Sequence, residues 1–350
     1  MRPAPLDLRP GLVWPVPIDP TGRRGPTPGS ARGPRWRRSG PGLYVPSDVD
    51  AHAPEQRVVE AAARLPASGA ITGWAGLRWL GATWLDGRTP DGRAERDVVL
   101  LATNADIRPF PGQRFSAERL NPCEVRVVDG VPVTVPVRSV CFELRYPEGE
   151  REGIVAADMA AYANLVSRAE IGDYLPHLSG WTGVQRVRDA LPLISENSWS
   201  PPETRMRLVW LLDAGLPPVL CNQPVFDRRG RHLGTPDILD PVAGVLGEYD
   251  GAEFHLGPSN RRRDVGREDD LRAAGLETFS VVAGQTADRD GLAARMLRTR
   301  ARARWQDPAT RAWTLVPPAG WRLRLTVADR RAGCGRPAVH SRGPPGAVVP

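Results

Sequence analysis

The chain reads as a mixed α/β protein of the α+β kind, with a mostly helical first part and a C-terminal core in the order α-β-β-β-α-β. Three observations predict this. At 350 residues the chain is long enough to bury two separate cores. Between residues 41 and 195, apolar faces at helical spacing surround a β-rich stretch at 96–140. From Ser198 onward a capped helix is followed by short apolar runs divided by Gly, Pro and Asp, the mark of strands and turns.

Residues 1–40, rich in Pro, Gly and Arg without a sustained period, read as a disordered basic tail. Residues 41–46 suit a short edge strand bounded by Pro41 and Pro46. Residues 55–65 place Val58, Val59, Ala62 and Leu65 on one helical face. Thr72 stands as the N-cap of a second helix over 73–80 that Gly81 closes. Two helices joined by a Gly-containing turn fit a winged-helix-like unit, and equally a plain helical support, because no basic recognition helix is visible. Residues 96–101, 123–128 and 131–135 are β-rich, and Asp129-Gly130 is a hairpin turn. Helices are expected over 137–144, 153–165, 169–178 (with Ser167 as N-cap) and 183–191. The stretch 41–195 is taken as one domain without a catalytic grouping.

Ser200-Pro201-Pro202-Glu203 then forms a capping box with Pro at the first helical position, and the helix runs through Met206 and Val209 to Gly215. Strands are expected at 219–226, 232–239, 245–250 and 277–283, with a turn at 227–230. A helix opening at Asn260 or Arg261 passes through Leu271 to Gly275. An Arg-rich helix covers 288–305, and the chain beyond about 328 reads as disordered. This gives a domain at 198–306 and a largely disordered extension at 307–350.

Composition bounds the class. Hydrophobic residues are 41% and charged residues 25% of the chain, as in ordinary soluble globular proteins. There is no run of about 18 apolar residues and no basic stretch leading into an apolar one, so a cytoplasmic protein with no membrane partner is expected. Cys123, Cys141, Cys221 and Cys334 lack metal-ligand spacing and suit a reducing compartment. The net charge of +7 is unevenly spread: residues 1–40 hold eight Arg against two Asp, residues 295–350 hold twelve Arg against two Asp, and 41–294 carries −9. Arg-rich flanks favour a polyanion such as DNA, bound in a salt-dependent way. The same bias has a compositional reading, since Arg, Pro, Gly and Ala abound and Lys is absent.

Candidate chemistry gathers in 234–255. Asp237 lies 11 residues before Glu248, and Glu248 and Asp250 alternate on a strand and so share a face. Like charges on a sheet face need a cation or hydrogen-bond donors between them. Converging oxygens suit a hard divalent ion, Mg²⁺ or Mn²⁺. His255 follows after a Gly turn and is a candidate proton carrier. Each residue also has a structural reading: Glu203 as a capping acid, Asp237 as a turn acid after Pro236, His255 as a solvated loop residue, and Arg261–Arg263 as a solvated helix start.

Taken together, Ser200-Pro201-Pro202-Glu203-Thr204-Arg205, Thr235-Pro236-Asp237, Gly247-Glu248-Tyr249-Asp250-Gly251 and His255, continued by Asp264, Arg267 and Leu271, resemble the PD-(D/E)XK nuclease superfamily. The pattern is closest to the very-short-patch-repair-type endonucleases that follow an AbiEi-antitoxin-like N-terminal region. The likeness covers 198–284 well and 41–195 loosely. It implies a restriction-endonuclease-like core and metal-dependent hydrolysis of DNA phosphodiester bonds. Asp237 would be the central metal carboxylate, with Glu248 or Asp250 completing the shell. Glu203 would reach in from the helix, and His255 would act as general acid/base. The superfamily has a Lys where Asp250 stands, so Arg205, Arg261, Arg262, Arg263 and Arg267 are the candidate phosphate contacts. DNA and a toxin–antitoxin or defence-system partner follow from the resemblance. Two other readings stand beside it: a catalytically inactive DNA-binding regulator or antitoxin-like protein that retains the fold, and a polyanion-binding protein with RNA as ligand.

Overall fold

The computed structural model describes residues 5, 7–103, 108–250 and 269–333. The chain is mixed α and β and divides into two compact units, Met1–Leu191 and Pro192–Pro350.

The first unit opens with β1 (Val16–Pro17), β2 (Trp36–Gly40) and β3 (Leu43–Pro46), which form a three-stranded antiparallel sheet in the order β1-β3-β2. Two expectations are corrected here. Residues 7–40 are not a disordered tail, and β3 is the central strand of its sheet rather than an edge. The anchors lie far along the chain, where composition cannot show them. The Gln56 amide pairs with the backbone of Val13 at 3.0 and 2.9 Å, as a neighbouring strand would. Arg37 forks onto Glu60 at 2.9 and 2.6 Å. Arg9 reaches Asp129, 120 residues away, at 2.6 Å.

The body of this unit comprises α1 (Pro54–Ala62), β4 (Ala70–Thr72), α2 (Gly73–Trp79), β5 (Val98–Leu101), β6 (Gln113–Ser116), β7 (Val125–Val128) and β8 (Val131–Thr134), then α3 (Pro136–Arg145), α4 (Glu152–Tyr162), α5 (Arg168–Tyr174) and α6 (Val184–Ala190). The strands form one five-stranded mixed sheet in the order β6-β5-β4-β8-β7. The β7–β8 hairpin turns at Asp129-Gly130, both at positive φ (46° and 75°), the conformation a two-residue turn demands. Trp74, Leu77, Trp79, Ile71 and Leu100 are fully buried between sheet and helices. Thr72 makes no capping bond to α2; its hydroxyl accepts instead from Thr134 Oγ1 at 2.9 Å. Glu143 of α3 supplies the cap, accepting the Trp74 N–H at 2.7 Å and pairing with Arg96 at 2.6 Å. Gly73 is required there, since its φ is 64° and a Cβ would come within 2.5 Å of Glu143 Oε1.

Beneath α3, Glu118 accepts from Arg138 at 2.6 Å, from Arg145 at 2.6 and 2.7 Å, and from the Tyr146 hydroxyl at 2.8 Å. Both guanidinium groups are fully buried and lie over the Trp181 ring at 4.8 and 5.0 Å. Burial pushes the Glu118 carboxyl up, but its bonds to Arg145 and Arg138 outweigh this and hold it below the ordinary value.

The second unit contains α7 (Pro201–Leu208), continued as a π-helical turn over Val209–Asp213, then β9 (Leu220–Cys221), β10 (Val225–Asp227), β11 (His232–Gly234), β12 (Ile238–Asp240), β13 (Val245–Asp250), β14 (Glu277–Val282), α8 (Arg289–Arg302), β15 (Trp313–Thr314) and α9 (Val327–Ala332). Residues 269–273 are also helical. The strands make two sheets: a four-stranded one, β14-β13-β12-β9, and a three-stranded one, β11-β10-β15. The strands expected at 219–226 and 232–239 are thus each broken in two, and the halves lie in different sheets. The first break falls at Asn222, with φ of 46°, and Pro224; the second spans Thr235-Pro236-Asp237.

Alternation along β12 and β13 gives the larger sheet two apolar faces. Ile238, Val245, Phe279 and Val281 pack with Met206, Val209 and Trp210 and with Leu292 and Met296 of α8. Leu239 and Leu246 pack with Val225, Leu233, Leu276 and Trp313. The extension past 307, expected to be largely disordered, contributes β15 with its fully buried Trp313. It also contributes α9, whose Val327 N–H and Arg330 bond to Glu196 at 2.6 and 2.9 Å. No helix among the described residues is long and apolar enough to cross a membrane.

The Glu118 cluster sets a pH dependence for the first unit. Because folding lowers this carboxyl's pKa from 4.5, its stabilisation is present above that value and fades as pH falls through the lowered one. Glu118→Gln flattens that acid slope and leaves two buried guanidiniums short of a counter-charge, a cost of about 3–5 kcal/mol. Urea unfolding of both proteins between about pH 3 and pH 7 measures both effects; an unchanged slope and midpoint contradict them.

Candidate active site on the four-stranded sheet

β12 and β13 pair antiparallel with Ile238 opposite Gly247 and Asp240 opposite Val245. The β9–β12 register sets Cys221 opposite Ile238. Asp237 and Glu248 are the next positions after the Ile238–Gly247 pair, and the Asn222 N–H donates to Asp237 O at 3.2 Å.

Asp237 is buried, at 3% exposure, and its Oδ2 accepts the Tyr249 N–H at 2.6 Å. Asp237 thus shares one carboxylate oxygen with the strand backbone. Glu248 and Asp250 are half-buried. They alternate with Tyr249, whose ring packs against the cluster built on α7 and α8, so they leave β13 on the opposite face. Tyr249 has its pKa raised by burial, partly offset by the charge of Arg205.

Asn222 is the residue the sequence reading missed. It is 1% exposed, and its Nδ2 donates to Asn197 O at 2.8 Å and Glu203 Oε2 at 2.7 Å. Its Oδ1 is buried without a hydrogen-bond partner among the described residues. A buried amide oxygen left unmade costs about 1–3 kcal/mol. The signal available in the sequence was an Asn, a residue tolerant of positive φ, closing an apolar strand just before Gln223-Pro224.

Glu203, which the resemblance has reaching in from the helix, is held by hydrogen bonds at the start of α7. It is buried on α7, and its carboxylate accepts from the Trp199 N–H at 2.9 Å, the Ser200 hydroxyl at 2.8 Å and Asn222 Nδ2 at 2.7 Å. Ser200 Oγ in turn accepts the Glu203 N–H at 3.4 Å. The reciprocal bond of the expected capping box comes from Trp199 rather than Ser200, one residue earlier. The connection from Glu203 to Asp237 runs through Asn222, whose N–H donates to Asp237 O at 3.2 Å. Asp240 is structural: it accepts the Val242 and Ala243 N–H groups at 2.9 and 3.0 Å and pairs with Arg300 at 2.9 Å, closing the turn into β13. His255, Arg261, Arg262, Arg263 and Arg267 lie outside the described residues.

Asp237, Glu248 and the Asn222 amide make an all-oxygen donor set of the kind hard divalent cations take. Among the described residues no group of three or more His, Cys, Asp or Glu side chains converges as a metal site. Glu203→Ala removes the acceptor of three buried or half-buried donors. It is expected to lower the stability of the second unit by about 3 kcal/mol, read as the shift in its denaturant midpoint, with Glu203→Gln retaining part of it. A shift under about 0.5 kcal/mol would contradict this account.

No family model matches the chain, and no solved structure matches it. The chain is similar to two proteins of Mycobacterium tuberculosis, uncharacterized protein Rv2248 of strain ATCC 25618 / H37Rv and uncharacterized protein MT2308 of strain CDC 1551 / Oshkosh. Each is 29% identical over 214 residues, which is 60% of this chain and 77% of the relative.

Proposed function

We propose that the second unit is a metal-dependent endodeoxyribonuclease with a restriction-endonuclease-like core, acting on DNA phosphodiester bonds. One observation carries the reading. Asp237 and Glu248 follow the Ile238–Gly247 pair of neighbouring strands, and Asn222, whose buried Oδ1 has no hydrogen-bond partner among the described residues, joins Asp237 through its N–H. Neighbouring carboxylates are unfavourable on a sheet unless a cation or donors join them.

Asp237, Glu248 and Asn222 would hold Mg²⁺ or Mn²⁺. When bound, the ion neutralises charge developing on a phosphate and lowers the pKa of water. The chain's own residues do the rest. Asp237 is fixed by the Tyr249 N–H. With no Lys in the chain, the cation facing the phosphate would have to be an Arg, whose planar fork matches a phosphate. The Arg-rich flanks add salt-sensitive attraction to DNA.

A second reading has its own support. The Glu203 carboxylate is engaged by three donors, which favours a DNA-binding regulator or antitoxin-like protein that keeps the fold without turnover. Nicking of supercoiled plasmid with Mg²⁺ or Mn²⁺ separates the two. The wild type nicks, and Asp237→Asn, which keeps an acceptor for the Tyr249 N–H, loses activity on the order of 100-fold. Equal nicking by both proteins overturns the enzyme. No nicking by either, with DNA binding that falls steeply with salt, establishes the regulator.

A further inference from the structure

The first unit contains a cavity of about 430 Å³, far in sequence from Asp237 and Glu248 and unused by them. The volume falls within the range of roughly 300–1,000 Å³ of small-ligand sites. Three ring side chains line it, Tyr174, His177 and Trp181, together with Leu120, Asn121 and Arg119.

The walls are held in place. The Tyr174 hydroxyl donates to Glu124, whose other oxygen accepts the Asn121 N–H at 3.1 Å. Burial and the Glu124 carboxylate push the Tyr174 pKa far up, so its hydroxyl stays neutral and committed to that bond. The Tyr174 and His177 rings lie 5.4 Å apart. Trp181 is pinned by the Arg138 and Arg145 guanidiniums over its ring. Asn121 spends its Oδ1 on the Cys123 N–H at 3.2 Å, which leaves its amide NH₂ to donate.

The electrostatics favour an anion. Three guanidiniums (Arg119, Arg138 and Arg145) line or back the cavity against two carboxylates, Glu118 and Glu124. Arg138 has Nε and Nη1 buried with no acceptor. Arg119 is exposed and has no ion-pair partner among the described residues. A bare anion has no use for three rings, and an apolar ligand has none for a free guanidinium. A planar aromatic group carrying a phosphate uses both.

We propose that this cavity binds a nucleotide, with the base against the Tyr174, His177 and Trp181 rings and the phosphate at Arg119. Rings hold a base by stacking, which tolerates any base, and the guanidinium forks onto phosphate oxygens. The nucleotide is either free or one residue of a single strand, and the test distinguishes them.

Titrations of the full-length chain, followed by Trp fluorescence or calorimetry, compare AMP, UMP, adenosine, ribose 5-phosphate and a short oligothymidylate. AMP and UMP should saturate the site, and adenosine and ribose 5-phosphate should each bind at least about tenfold more weakly. Arg119→Ala should weaken AMP by about tenfold and leave adenosine unchanged, whereas His177→Ala should weaken both. Both side chains are exposed, so both variants keep the wild-type melting temperature. An oligothymidylate that binds more tightly than UMP and loses affinity in the same variants assigns the site to a strand. One that binds no better than UMP assigns it to free nucleotide. Absence of saturable binding by every nucleotide and the oligothymidylate overturns the proposal, as does ribose 5-phosphate binding as tightly as AMP or affinity unmoved by both substitutions. Asp237→Asn leaves all these affinities unchanged, so failure of the nuclease reading and failure of this site are separately visible.

Discussion

Two asparagines exchange amide bonds at the start of the second unit. Asn197 Nδ2 donates to the carbonyls of Cys221 and Asn222 at 2.6 and 3.2 Å, and Asn222 Nδ2 returns a bond to Asn197 O at 2.8 Å. Through its other Nδ2 bond, Asn222 also ties in Glu203 at the first turn of α7. This small buried network lets the chain leave the four-stranded sheet at Asn222, where φ is 46°, without stranding backbone groups in the interior. It fixes β9 as the edge next to β12, brings the N-terminus of α7 onto that edge, and sends β10 into the second sheet. The double-faced core and the candidate site both depend on that diversion.

An all-Arg cation set is consistent with the way charge is handled elsewhere in the chain. Arg138 and Arg145 sit fully buried against one glutamate and an indole ring. Arg311 lies 3.3 Å from the Trp313 ring centre while donating to Pro241 O at 2.9 Å. Arg330 donates from a buried position to Glu196 O. A planar, weakly hydrated guanidinium can stack and fork at once, where an ammonium would need three separate acceptors. Aromatic partners therefore recur beside these arginines, and 11 tryptophans in the chain supply many of them.

Local signals were legible in the sequence and long-range ones were not. Ser167 with Glu170 forms the capping box that opens α5, Pro201 stands in the first turn of α7, and Asp129-Gly130 turns the hairpin, because each depends on residues a few positions apart. The alternation of Glu248 and Asp250 about Tyr249 located β13 for the same reason. The split of 219–226 between two sheets was not legible, since apolar runs of strand length look alike whether one sheet or two receive them. Nor was the order of residues 7–40, which rests on Gln56, Glu60 and Asp129. Glu203 carried the correct type and spacing for two roles, and its partners, Trp199 and Asn222, decide which one its carboxylate serves first.

Asp237 shows why the candidate site and the fold cannot be separated at this point of the chain. Pro236 precedes it and has no N–H, so the β12–β13 ladder cannot continue past Asp237 by ordinary backbone pairing. The Tyr249 N–H is taken by Asp237 Oδ2 at 2.6 Å. The same carboxylate therefore ends the strand pair and begins the candidate site. A side chain that must satisfy a backbone donor is held in one rotamer, so the site gains a fixed oxygen from the need to finish a strand. Thr235-Pro236-Asp237 therefore couples a turn to a placed carboxylate, with Glu248 on the neighbouring β13 and Asn222 just past the end of β9.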